Sequence, residues 1–228
     1  MAVIQKNIST FASLLQHYYI VVAFDYNFVS PINMKVMAEY TTITENWKRL
    51  SNNLPYKWIV DYASYNAYGN FELSSDDWEK RDYIVNFKGN SELTTEIDHQ
   101  QALSKAIIDI SFLIIETFGK EARKLTFVCI PASTQANTKR RFEEFSQKVC
   151  EKTGMTNAYP LITWTSKLNP DDGEQEDEYA IDINALKGKD ILLFDDIIAS
   201  GGSVCRFAEK MKAMGANVVA AIALGKKV

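Results

Sequence analysis

A chain of 228 residues is long enough for one large domain with a substantial core, and its 46% hydrophobic and 24% charged residues are ordinary for a globular protein. A formal net charge of −4 offers no bulk attraction to nucleic acid or to an anionic membrane. Three scattered cysteines, Cys129, Cys150 and Cys205, and only two histidines, His17 and His99, argue against a disulfide framework and against a multi-histidine metal centre.

The first 98 residues are rich in Tyr, Trp and Asn and follow no single period. The apolar run Tyr18 to Phe24 is too short to span a bilayer, and no basic-then-apolar leader opens the chain, so a cytoplasmic location is expected. Tyr56, Trp58, Tyr62, Tyr65 and Tyr68 fit either the core of a small mixed subdomain or a base-stacking surface. Residues 99–118 are expected to be helical, because Leu103, Ala106, Ile107, Ile110, Leu113 and Ile114 recur at helical spacing and form a stripe that must pack on a sheet.

From there apolar strands and amphipathic helices alternate. Leu125 to Ile130 is a short apolar run ending at Pro131, the pattern of a buried strand. Residues 138–153 set Phe142, Phe145 and Val149 on one helical face, and Gly154 supplies the stop. Tyr159 to Thr165 has strand composition. Residues 166–179, with Asn169-Pro170-Asp171-Asp172-Gly173 and a run of acids, predict an exposed loop. Ile191 to Phe194 predicts the next strand. A helix over Ser203 to Met214 follows, with Val204, Phe207, Ala208 and Met211 inward, and Val218 to Leu224 closes the pattern as a strand. Strands separated by helices imply a mainly parallel sheet with right-handed crossovers and a ligand site at the carboxyl ends of its strands.

One such end carries distinctive chemistry. Ile191-Leu192-Leu193-Phe194 runs into Asp195-Asp196, then Ile197-Ile198-Ala199-Ser200-Gly201-Gly202-Ser203 turns into a helix. Backbone N–H groups at a helix start attract phosphate, whereas two carboxylates repel it and suit hydroxyls or a phosphate-bound cation. A ligand with a phosphate at one end and a diol beside it satisfies both halves. A second strand end, Ile130-Pro131-Ala132-Ser133-Thr134, leads to Thr138-Lys139-Arg140-Arg141, where cations and amides fit a second anionic group.

The segment 191–203 resembles the phosphoribosyl-pyrophosphate (PRPP) signature of type I phosphoribosyltransferases, with Ala199 where that family often has Thr. The resemblance implies an α/β fold with a mainly parallel central sheet flanked by helices over residues 86–228, preceded by a mixed N-terminal extension or small subdomain over residues 1–85. It also implies a site. Asp195 and Asp196 would hold the ribose hydroxyls, directly or through Mg2+, and either would shuttle the proton. Ile198, Ala199, Ser200, Gly201, Gly202 and Ser203 would cradle the 5′-phosphate. Ala132, Ser133 and Thr134, with Lys139 and Arg140, would receive pyrophosphate. The implied reaction transfers the 5-phosphoribosyl group from PRPP to a nitrogen acceptor through a ribosyl-cation-like transition state.

Asn86-Phe87-Lys88-Gly89-Asn90 and Arg140-Arg141-Phe142 are similar to elements of the ComF-like, competence-associated branch. The four-cysteine zinc element of many members is missing, so direct nucleic-acid contact is not expected. Residues 166–179 stand where the family's mobile catalytic loop falls, but their acids suit a pyrophosphate lid poorly. The alternative is therefore a non-catalytic module that senses PRPP or a nucleotide, as an accessory to DNA uptake. A small-molecule nitrogen acceptor, a homodimer and no membrane partner complete the expectations.

Overall fold

The computed structural model describes residues 39–63, 73–89, 92, 94–168 and 175–228. Contacts divide the chain into Met1–Thr42 and Ile43–Val228, and the second unit carries the architecture that follows. The expectations for His17, Tyr18 to Phe24, Tyr65, Tyr68, Asn90 and Asn169 to Gly173 lie outside the described residues.

In chain order the elements are β1 (Lys48–Arg49), β2 (Pro55–Tyr62), α1 (Ser75–Lys88), α2 (Glu96–Phe118), β3 (Leu125–Cys129), α3 (Gln135–Thr153), β4 (Thr156–Asn157), β5 (Ile162–Leu168), β6 (Gln175–Ile181), α4 (Ile183–Leu186), β7 (Asp190–Ile198), α5 (Gly202–Ala213) and β8 (Asn217–Lys227). Six strands form one sheet in the order β1-β2-β8-β7-β3-β4. The pairs β2/β8, β8/β7, β7/β3 and β3/β4 are parallel, and only β1 runs antiparallel. This is the α/β class with a mainly parallel sheet that the alternation of elements implied.

The two faces of β7 explain why the sheet is buried on both sides. Ile191 and Leu193 pack with Val204, Ala208 and Met211 of α5. Phe194, one step out of phase, points the other way. There it meets Phe127, Phe142 and Phe145, its ring centroid lying 4.5 Å from that of Phe145, while Phe87 of α1 closes the group. All five rings are buried, the pattern expected when α1 and α3 cover one face and α5 the other.

Helix starts follow local chemistry. Ser74 and Thr95 each form a reciprocal capping box, with Asp77 and Asp98 respectively, and so fix the entries to α1 and α2. Thr134 caps α3 by accepting from the Asn137 amide.

Three segments differ from the sequence expectation. Tyr159–Leu161 is a 3-10 turn, and the strand begins only at Ile162. Residues 166–179, expected as a loop, include the ends of two strands: β5 and β6 pair antiparallel from Ile162/Ile181 to Leu168/Gln175, forming a hairpin outside the main sheet. The acids hide this from a sequence reading because they sit on an exposed ribbon with no apolar alternation to mark it. Finally, β2 is a full member of the main sheet, with Tyr56 buried against the α5 side of the core and Trp58 stacked on it at 5.5 Å. No helix among the described residues is long and apolar enough to cross a membrane.

Candidate functional site

The carboxyl ends of β3 and β7 lie side by side, since Cys129 pairs with Phe194, and each strand runs into a turn that starts a helix. β7 delivers Asp195 and Asp196 to opposite faces of the sheet. Their surroundings differ sharply.

Asp196 continues the face of Phe194 and is buried. Arg141 of α3 donates to its Oδ2 at 2.8 Å, and the Lys88 ammonium of α1 lies 3.5 Å from Oδ1. Two cations from two helices therefore hold one carboxylate at the strand end. Asp195 stands on the other face. Its Oδ1 accepts from the Asp196 amide at 2.9 Å, and among the described residues no ion pair reaches it. Burial, and secondarily the negative charge of Asp196, raise its carboxyl to about 7, opposed by the Asp196 amide and by the more distant Lys88 and Arg141.

Beyond the acids, Ala199 and Ser200 are exposed and Gly201 caps α5 with φ +83. That left-handed backbone favours glycine, and a Cβ there would also stand 2.6 Å from Leu50 Cδ2. The first intrahelical bond runs from the Cys205 amide to the Gly201 carbonyl. The amides of Gly202, Ser203 and Val204 thus precede the helical ladder and have no acceptor within it. Gly202 N–H makes one long contact, 3.4 Å, with Ser200 Oγ. Lys226 of β8 donates to the Ala199 carbonyl at 2.8 Å and ties the turn to the neighbouring strand.

A cavity of about 270 Å³ opens beside this turn, lined by Ile130, Pro131, Ser203, Arg206 and Lys210, with Tyr179 of the hairpin above it. The Arg206 guanidinium folds back over the first turn of its own helix, 3.5 Å from where a Gly202 Cβ would stand. Lys210 lies 4.8 Å from the Tyr179 ring centroid. Two cations, a hydroxyl and a helix start therefore face one small space, which suits an anionic group.

The turn after β3 is more occupied. Ala132 N–H donates to Thr138 Oγ1, and the Thr134 hydroxyl is the cap of α3. The Gln135 amide donates to Asp177 of β6 at 2.9 Å. Ser133 is exposed. Lys139 is exposed, 4.0 Å from Glu143. Arg140 turns toward the α1–α2 junction, where Nε donates to the Gly89 carbonyl at 2.7 Å and a terminal nitrogen to Glu96 at 2.9 Å. Of the residues singled out from sequence, the structure thus gathers Asp195 to Ser203 into one strand–turn–helix corner with Ala132 to Thr134 across from it, and it sets Arg140 on a different junction.

The family scan decides what this corner belongs to. Residues 94–227, more than half of the chain, match the model of the phosphoribosyl transferase domain. The chain belongs to that family. The matched region takes in both turns, the hairpin and all three of β3, β7 and β8. Phosphoribosyl transfer is the general chemistry that membership carries.

Similar solved structures include an adenine phosphoribosyltransferase, 17% identical, with 56% of this chain and 71% of that one covered and a TM-score of 0.38. The adenine phosphoribosyltransferase of Saccharomyces cerevisiae is 18% identical over 55% and 70% of the two chains, at a TM-score of 0.37. A purine phosphoribosyltransferase from Pyrococcus horikoshii is 14% identical over 54% and 82%, at a TM-score of 0.32. A search of curated proteins finds no match.

Sequence reasoning did not find the partners of Asp196, nor Arg206. Lys88 and Arg141 stand 108 and 55 positions from Asp196, too far for spacing to relate them. A signal was nevertheless present. Lys88 belongs to the Asn86–Asn90 element and Arg141 to the Arg140–Phe142 element, the two short segments that are similar to elements of the ComF-like branch. They meet at one carboxylate.

Proposed function

We propose that this phosphoribosyltransferase-family protein binds PRPP with Mg2+ and transfers the 5-phosphoribosyl group to a nitrogen acceptor, releasing pyrophosphate. One observation carries the reading. At the β7–α5 corner an acid without an ionic partner among the described residues, Asp195, stands before a turn with three helix-start amides, beside a cavity holding Ser203 and Arg206. That arrangement suits a ribose diol joined to a 5′-phosphate.

Each residue's part follows from its surroundings. The amides of Gly202 and Ser203, the hydroxyls of Ser200 and Ser203, and the Arg206 cation hold the phosphate. Ile198 and Ala199 carry the backbone past it. Asp195 accepts from the ribose hydroxyls. Across the cleft, Ala132, Ser133 and Thr134 receive the pyrophosphate, with Lys139 contributing long-range positive charge.

The bond between ribose C1 and the pyrophosphate oxygen breaks, and the electron pair leaves with pyrophosphate. The acceptor nitrogen bonds to C1 and gives up its proton. Asp195 is the proton acceptor in this reading, because burial raises its carboxyl to about 7, while the Asp196 carboxylate is engaged by the Arg141 and Lys88 cations. Asp196 acts instead through position, since its amide fixes the Asp195 carboxylate. Mg2+ favours one or two carboxylates combined with substrate oxygens, so the Asp195 side chain fits it, and the ion would neutralise the leaving pyrophosphate.

Within the family we propose the ComF-like branch, a reading supported by the meeting of the Asn86–Asn90 and Arg140–Phe142 elements at Asp196. A second reading, a module that senses PRPP or a nucleotide without turnover, is favoured by the carboxylate of Asp177 at the start of α3. A screen of nucleobases and amines for pyrophosphate release from PRPP with Mg2+ separates the two. Release with one acceptor supports transfer; saturable PRPP binding without release supports the module; no binding removes both.

A further inference from the structure

The hairpin that crosses the cleft brings a negative charge to the one place where the proposed reaction needs room for another. Asp177 lies opposite Ser166 in the ribbon, and Ser166 donates to its Oδ1 at 2.6 Å. Its Oδ2 accepts from the Gln135 amide, the first residue of α3, at 2.9 Å. These two hydrogen bonds hold the Asp177 carboxyl below its ordinary range. Two further early α3 donors are occupied by the protein itself: Asn137 N–H by the Thr134 hydroxyl, and Thr138 N–H by the Thr134 carbonyl.

The hairpin base is anchored rather than loose. Ile181 is buried, Ile162 packs on the core, and the Asp182 amide donates to the Leu161 carbonyl. Asp177 is therefore held over the turn after β3 while the β7–α5 turn, on the other side of the cleft, keeps its helix-start amides and Arg206.

We propose that Asp177 is a specificity-determining residue: its carboxylate takes the anion position at the start of α3, so that the docked hairpin favours a ribose 5-monophosphate over a ribose carrying a 1-pyrophosphate, which must displace Asp177 to bind. The inference rests on the reading of the two turns given above. A pyrophosphate at Ala132–Thr134 would meet a fixed negative charge and find the Gln135 amide taken, so PRPP enters only as Asp177 leaves. The discrimination arises from a repulsive element built against one ligand rather than from an added attraction to the other.

Calorimetric titration of ribose 5-phosphate, inorganic pyrophosphate and PRPP with Mg2+ into wild type, Asp177→Ala and Asp177→Asn tests this. Asp177→Ala is expected to strengthen PRPP and pyrophosphate binding about tenfold to a hundredfold, the span of one charge-assisted hydrogen bond. Ribose 5-phosphate affinity should stay within about twofold, since its phosphate sits at the other turn. Asp177→Asn, which removes the charge but keeps an acceptor, should fall between wild type and Asp177→Ala. Unchanged or weaker PRPP binding in Asp177→Ala, or an equal gain for ribose 5-phosphate, overturns the inference while leaving the phosphate site in place. Failure of ribose 5-phosphate to bind any of the three proteins overturns the underlying reading, and this inference with it.

Discussion

Replacing Arg141 by Met would leave Asp196 buried with only Lys88 nearby. The Arg141 and Asp196 side chains are 10% and 9% exposed, and the contact is 2.8 Å, so water cannot replace the lost partner. Breaking a buried pair by removing one member costs about 3–5 kcal/mol. Two features lower the figure here. Lys88 remains 3.5 Å from Oδ1, and Met refills most of the volume beside Phe142. A loss of about 3 kcal/mol is expected, which for a chain of this size lowers Tm by about 6–12 °C. Urea unfolding of Arg141→Met, Asp196→Asn and the double variant closes the cycle. The double variant should be more stable than the sum of the single losses implies, by at least about 1 kcal/mol. Additive losses, or an Arg141→Met loss below about 1 kcal/mol, would show that the two cations do not hold Asp196.

Asp195 carries a pH signature. Its folded carboxyl, near 7, lies above the ordinary value of 3.8, so the folded state keeps a proton that the unfolded chain releases, and that advantage fades as pH rises between those values. The Tm gain of Asp195→Asn over wild type should therefore grow from pH 4 to about 7 and level off above it; a constant difference contradicts the assignment. Gly201→Ala forces a side chain into φ +83 and against Leu50. It should cost about 1–2 kcal/mol in urea unfolding and weaken ribose 5-phosphate binding, whereas an unaffected protein would mean the turn does not need that backbone. Arg206→Gln should weaken ribose 5-phosphate binding about fivefold and flatten its salt dependence, both read by calorimetry at several ionic strengths.

What the sequence disclosed and what it hid divide by distance along the chain. The β7–α5 corner is contiguous: apolar strand, two acids, small turn, amphipathic helix. Each local preference agrees with the fold, so thirteen residues in order were enough. The α2 stripe and the β3 and β8 runs were legible for the same reason. The hairpin was not. Its strands carry Asp177 and Glu178 on an exposed ribbon, and among the described residues of β6 burial, which makes period-two alternation visible, is found at the base, at Ile181. Likewise β2 read ambiguously because Tyr and Trp serve cores and surfaces alike, and its place is set by pairing with β8 some 160 positions away. The unequal fates of Asp195 and Asp196 are a consequence of strand alternation: neighbours in sequence, they face opposite sides, and only one meets the cations of α1 and α3.

The account turns on phosphate being held by the amides at the start of α5, and those amides can be watched one at a time. Titrating ribose 5-phosphate into 15N-labelled protein should move the resonances of Gly202, Ser203 and Val204 saturably, with Arg206 Nε following and the amides of α1 unmoved. Saturable shifts located elsewhere, or none up to millimolar ligand, would contradict it.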